Sequence, residues 1–191
     1  MTEPQETVSA GADDPASAPD AKRFTRRGLW FDEYELGLVI ESGGRTVTEA
    51  DLVAFAGLSG DHTSLHTDAE YCRGTPFRRP IAHGMLVQSI ASGLGVQTGV
   101  FEGTIQALSD MTIHWRSPVF PGDTIRLVLT VARIDPEPKR RSGEIVFDAR
   151  VFNQEDRLVV EGEWHTRILR ESAAPRARRR RSGVEGRGEE A

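Results

Sequence analysis

HGMLVQSIASGLGVQTG, residues 83–99, decides the fold. Met85, Leu86, Ile90 and Leu94, with the small Ala91, Ser92 and Gly93 between them, make about 14 residues that are apolar on almost every side. A helix of that kind has no face for water and must be surrounded by other structure. The sequence after residue 103 supplies the surround. There Ile125, Leu127, Leu129 and Val131 alternate with Arg126, Val128 and Thr130, and Ile145, Phe147, Ala149 and Val151 alternate with Val146, Asp148, Arg150 and Phe152. A period of two is the mark of strands. Four long strands are expected at 104–116, 123–134, 143–153 and 157–169, separated by SPVFPGD, DPEPKRRS and NQED, the last a hairpin turn. With a first strand from residues 34–46, the expectation is an α+β fold: a curved antiparallel β-sheet wrapped around a central buried helix.

Upstream, Thr48 is an N-cap with an acidic residue, Asp51, at the third helical position, and Leu52, Val53, Phe55 and Ala56 form an apolar stripe. This reads as a helix of about ten residues ending at Gly57 or Gly60. Residues 59–82 are polar, contain Pro76 and Pro80, and read as turns.

The ends differ from this body. Residues 1–22 are an acidic tail and 171–191 an arginine-rich one, and both lack the aliphatic residues that offset ordering entropy, so the folded domain is expected over 23–170. The net charge of −5 hides this polarity: residues 1–21 carry five acids and no base, residues 171–191 six arginines against four acids. The run Arg178–Arg181 lies in a Gly-, Ala- and Glu-rich stretch and reads as a solvated end, and no nucleic-acid surface is indicated. No apolar run approaches the roughly 18 residues of a membrane span, and the acidic N-terminus is not a secretory signal. A lone cysteine, Cys72, fits a reducing cytoplasm.

The chemistry is concentrated in SGDHTSLHTD, residues 59–68. Asp61 and His66 are spaced so that a carboxylate and an imidazole can face one water and share acid and base roles. By spacing alone the plainer alternative is favoured: Asp61 caps a turn and His66 packs beneath it. His62 and His66 are four apart, with His83 within reach in space, but Thr63, Ser64 and the neighbouring Gly and Asp argue for loop rather than a helical ligand pair, so no metal is expected. At IAHGML, residues 81–86, a loop becomes the buried helix at Gly84, whose free N–H suits an oxyanion or only permits close packing. His114 and His165 occupy ordinary strand positions, and Cys72 has no activating neighbour.

Three motifs in order then resemble the MaoC-like (R)-specific enoyl-CoA hydratase and 3-hydroxyacyl thioester dehydratase family. Gly60-Asp61-His62-Thr63-Ser64-Leu65-His66 resembles its G-D-x-N-P-L-H segment, Pro80–Met85 its P-I-A-H-G-M stretch, and Pro118–Thr124 its P-V-x-P-G-D-T segment, within residues 28–168. The resemblance implies the hotdog fold and a hydro-lyase that adds water to a trans-2-enoyl thioester, giving the (R)-3-hydroxyacyl thioester, or the reverse dehydration. It implies Asp61 and His66 as the catalytic pair and Gly84 as backbone oxyanion donor. Ser92 and His83 are implied as support, and Thr63 stands where the family has asparagine, with Ser64 in place of proline. It implies no cofactor beyond the CoA or phosphopantetheine thioester itself. The implied assembly is a homodimer or dimer of dimers joined edge to edge, with an acyl carrier protein a possible partner. Arg78 and Arg79 are either CoA-phosphate contacts or solvated loop charges. Two other readings share the fold: an acyl-CoA thioesterase, against which the combined motifs argue, and a non-catalytic acyl-binding subunit, suggested by the altered Asn-Pro.

Overall fold

The computed structural model describes residues 28–137 and 140–173, and most of both expected tails lies outside that range. Strand β1 (Val39–Glu41) and β2 (Arg45–Thr46) lead into helix α1 (Glu49–Ser59), two short helices α2 (Ser64–Thr67) and α3 (Ala69–Arg73), and the central helix α4 (Gly84–Gln97). Strands β3 (Ile105–Met111), β4 (His114–Trp115), β5 (Thr124–Asp135), β6 (Ser142–Phe152) and β7 (Leu158–Leu169) follow. All pairings are antiparallel. The sheet order is β1-β5-β6-β7-β3, with β2 also on β5 and β4 also on β7, so β1 and β3 are edges and the sheet does not close into a barrel.

The alternation read in the sequence is the alternation of burial. Ile125, Leu127, Leu129 and Val131 of β5 and Ile145, Phe147, Ala149 and Val151 of β6 are all buried, and they meet Leu86, Val87, Ile90, Ala91 and Leu94 of α4 in one core. Phe147 is the largest fully buried side chain and meets the rings of Tyr34 and Phe101 edge-on. The hairpin at NQED is closed by the Asn153 side chain, which accepts from the Glu155 and Arg157 amides, with Asp156 in the left-handed region at φ 56°.

α1 begins as expected. Thr48 accepts from the Asp51 amide and Asp51 accepts from the Thr48 amide, a reciprocal cap, and the helix ends at Gly60 with φ 76°. Elsewhere the structure corrects the reading. The expected strand over 34–46 is two short pieces interrupted at Ser42–Gly44. The expected strand over 104–116 is broken at Thr112 and Ile113, where the Thr112 carbonyl lies so close to Gly162 of β7 that a Cβ there would sit 1.9 Å from it. Residues 59–82, read as turns, include α2 and α3, the latter capped by the Asp68 side chain on the Tyr71 amide. The described residues run to Ala173, whose carbonyl accepts from Arg141. No described helix is long and apolar enough to cross a membrane.

Candidate active site

The segment after α1 and the N-terminus of α4 face the same cavity, of about 790 Å³, whose walls include Phe55, Phe77, Val87, Val119 and Val160. Asp61, His66, His83 and Gly84 all line it. The lining is mainly apolar with a few polar groups, as a small-molecule site requires.

His66 is fixed by its backbone and its ring. The Ile81 amide donates to the Leu65 carbonyl at 3.1 Å, which lays residues 65–66 along residue 81. The Ile81 carbonyl then takes the ring Nδ1 of His66 at 2.7 Å. A carbonyl only accepts, so Nδ1 carries a proton, and in the neutral ring Nε2 holds the lone pair.

Asp61 is exposed and held by a tight turn. Its Oδ1 accepts from the Thr63 hydroxyl at 2.6 Å and from the Thr63 amide at 3.2 Å, while its own amide donates to Ser59 Oγ at 3.2 Å. These Thr63 bonds, the hydroxyl first and the amide second, hold the Asp61 carboxyl below the usual carboxylate range. Thr63 therefore acts on the carboxylate directly although it does not itself line the cavity.

Asp61, His66 and His83 each offer one ligand atom, all within 4.8 Å of one another. His62, the partner suggested by the i,i+4 spacing, is exposed and is not part of the group. The His66 and His83 rings stack with centroids 3.8 Å apart and planes 28° off parallel.

His83 is the N-cap residue of α4 and makes no side-chain cap to its helix, so the first-turn amides, Gly84 among them, retain their donors. A Cβ at Gly84 would lie 2.6 Å from Trp115 Nε1 and 2.7 Å from its Cε2, so the Trp115 indole lies directly against this glycine. By sequence Trp115 simply falls within the strand expected over 104–116; the pairing of β4 with β7 brings it to the cavity. Nothing in the local sequence signals it. Ser92 sits two turns along α4 from Gly84, half-buried and outside the lining. Arg78 donates to the Arg73 carbonyl, and Arg79 lies over the Phe120 ring at 4.1 Å; neither lines the main cavity. Cys72 is fully buried, its thiol on the Ser64 and Leu65 carbonyls, which makes it a packing residue. His114 pairs across to Glu161 in the sheet, and His165 lies between Glu144 and Glu163.

Residues 37–150 match the family model described as a MaoC like domain. A 3-hydroxybutyryl-CoA dehydratase of Methylorubrum extorquens is 30% identical over 159 residues, 82% of this chain and 96% of that protein. The (R)-specific enoyl-CoA hydratase of Aeromonas caviae and the protein MaoC of Klebsiella aerogenes are each 36% identical over 115 residues, 60% of this chain, which is 81% of the former's length and 34% of the latter's. Among solved structures, a monoamine oxidase regulatory protein from Archaeoglobus fulgius superposes with a TM-score of 0.71 at 34% identity, covering 78% of this chain and 98% of that one. A Mycobacterium tuberculosis protein described as a double hotdog fold superposes at 0.66 and 22% identity, over 78% of this chain and 46% of that one, which bears on the fold alone.

Proposed function

Because the chain belongs to the MaoC-like dehydratase family, we propose that it adds water to a trans-2-enoyl thioester to give the (R)-3-hydroxyacyl thioester, or runs the reverse dehydration. The observation that carries this reading is the convergence on one apolar cavity of an ionised Asp61, a His66 fixed in one tautomer and a Gly84 amide at an uncapped helix start.

In the hydration direction the thioester oxygen accepts from the Gly84 N–H, which stabilises the enolate as negative charge develops there. Water sits between the Asp61 carboxylate and the His66 ring. The pair takes one proton from that water as its oxygen adds to the β carbon, and returns one proton to the α carbon on the same face, so the site ends as it began. Thr63 keeps Asp61 ionised and aimed. The acyl chain lies along Phe55, Phe77, Val87 and Val160. No group beyond the CoA or carrier-protein thioester is needed, since the reaction moves only protons and water.

A homodimer fits the same reading. Strand β3 lies at a sheet edge with six of its seven residues exposed, Ile105 and Leu108 among them, and an open edge of that length favours a second copy. A reducing cytoplasm suits a chain whose single thiol is structural.

The test is hydration of crotonyl-CoA, longer trans-2-enoyl-CoAs, mesaconyl-CoA and a crotonyl carrier protein, followed by loss of enoyl-thioester absorbance, with chiral analysis of the product. The wild type is expected to turn over at least one of them, and Asp61→Asn to lose about 100-fold or more of kcat. Release of free thiol instead would make the protein a thioesterase; no turnover of any would make it an acyl-binding subunit.

A further inference from the structure

His83 stands next to the oxyanion donor and reaches back to the acid/base segment. It is 2% exposed, and its Nε2 donates to the Asp61 carbonyl at 3.0 Å. Among the described residues, every other hydrogen bond made by residues 61–63 runs to a residue between Ser59 and Thr67: Asp61 to Ser59, His62 to Gly60, Thr63 to Asp61, and the Thr67 hydroxyl and His66 amide to the carbonyls of 62 and 63. Among the described residues, the His83 bond is thus the one polar tie from residues 61–63 to a residue outside 59–67. The same ring stacks on His66 at 3.8 Å and lies 5.1 Å from Phe55, which fixes its plane from two sides. Its Nδ1 is buried with no partner. A buried ring nitrogen without a partner is retained against a cost, so an apolar ring would suit the packing better unless Nε2 has a task.

We propose that His83 is a positioning residue that locks the Asp61–His66 segment to the first turn of α4, so that the proton-transfer groups and the Gly84 amide keep one distance through the reaction. This rests on the hydratase reading above. A displacement of about 1 Å between reacting groups costs on the order of 100-fold in rate, and among the described residues the exposed turn 61–63 makes no other hydrogen bond to the start of α4.

Two substitutions separate the ring from the donor. His83→Phe keeps an aromatic plane against His66 and Phe55 and removes the N–H. His83→Gln places an amide N–H at the reach of Nε2 and removes the ring. Kinetics on whichever enoyl thioester the wild type hydrates are read beside hydrogen–deuterium exchange of the 60–67 backbone and thermal unfolding. Expected for His83→Phe is a fall in kcat of about 10- to 100-fold with KM within about threefold, and faster exchange over 60–67, in a protein that still unfolds cooperatively. His83→Gln is expected to recover most of both. Wild-type kcat and exchange in His83→Phe would overturn the proposal, as would a folded His83→Gln as impaired as the phenylalanine variant. Should His83→Phe fail to fold, His83→Asn, whose amide stops short at the Nδ1 position, takes its place with the same expected and overturning results. Should the wild type hydrate no thioester, the functional reading falls on its own, and the exchange comparison alone decides the tie: unchanged exchange refutes it.

Discussion

Gly84→Ala tests the oxyanion assignment most directly, because two opposing effects can be weighed from the structure. Replacing a helical glycine with alanine stabilises by roughly 0.5–1 kcal/mol through backbone entropy and propensity. Against this, the new Cβ would stand 2.6 Å from Trp115 Nε1, where ordinary contact begins at 3.4 Å, so the indole must retreat by about 0.8 Å. Overpacking of this kind costs about 1–3 kcal/mol, toward the low end here because Trp115 is 51% exposed and can swing outward. The net is a loss of about 0–2 kcal/mol, which lowers Tm by no more than about 8 °C for a chain of this size. Activity should fall much further. The methyl group and the displaced indole crowd the approach to the Gly84 amide, and loss of one oxyanion donor typically costs about 100- to 1,000-fold in kcat. Steady-state hydration with parallel thermal unfolding separates the two effects, and Gly84→Ala/Trp115→Leu sharpens the result. Removing the indole should return the lost Tm and leave kcat low. A Gly84→Ala enzyme within about threefold of wild-type kcat would refute close approach of the substrate oxygen at this residue.

Three further outcomes follow from the same geometry. Thr63→Val keeps the shape and removes the hydroxyl donated to Asp61, so the Asp61 carboxyl should rise toward its ordinary value. The acid limb of the pH–rate profile should then move to higher pH; an unmoved limb would mean that Asp61 does not set it. The sign is fixed: a depressed carboxyl favours the fold and the active ionised form above its ordinary value, and the advantage disappears as pH falls through the depressed one. Phe147→Ala empties the space between Tyr34, Phe101 and α4 and should cost about 3–5 kcal/mol in urea unfolding, whatever the function. Leu108→Lys on the exposed β3 edge should shift sedimentation from dimer to monomer if that edge is the dimer contact, and leave it unchanged otherwise.

The parts of the fold legible in the sequence were those governed by local periodicity. Alternation over residues 125–131 and 145–151 gives strands and their inward faces directly, and the apolar run after His83 gives the buried helix, because each pattern is set by which side chains must face the core, a property of the local sequence. The failures share a cause. The strand expected over 34–46 breaks at Gly43 and Gly44, and the one over 104–116 breaks where the chain meets Gly162, more than 45 positions away. α2 (SLHT) is poor in helix formers and α3 (AEYCR) is only five residues long, so neither announces itself in the local sequence. They are held by long-range contacts instead: Leu65 to Ile81, and the Cys72 thiol to α2. In the site, Asp61, His66 and Gly84 were legible as a motif. The Trp115 indole over Gly84 was not, since it depends on β4 pairing with β7.

The substitution at residues 63–64 is where motif and structure have to be reasoned together. An asparagine in the family's position has an amide long enough to order a loop; threonine is shorter and β-branched, and here its hydroxyl reaches only two residues back, to Asp61 itself. Local grip and long-range placement are therefore divided: Thr63 holds the carboxylate within its turn, and the turn's place against α4 falls to His83 through the Asp61 carbonyl. That division gives a double-mutant expectation. If both residues acted on the same displacement, Thr63→Val and His83→Phe together would cost little more than either alone. If one governs the ionisation of Asp61 and the other its distance from Gly84, their effects on kcat should multiply, and only Thr63→Val should move the acid limb of the pH profile.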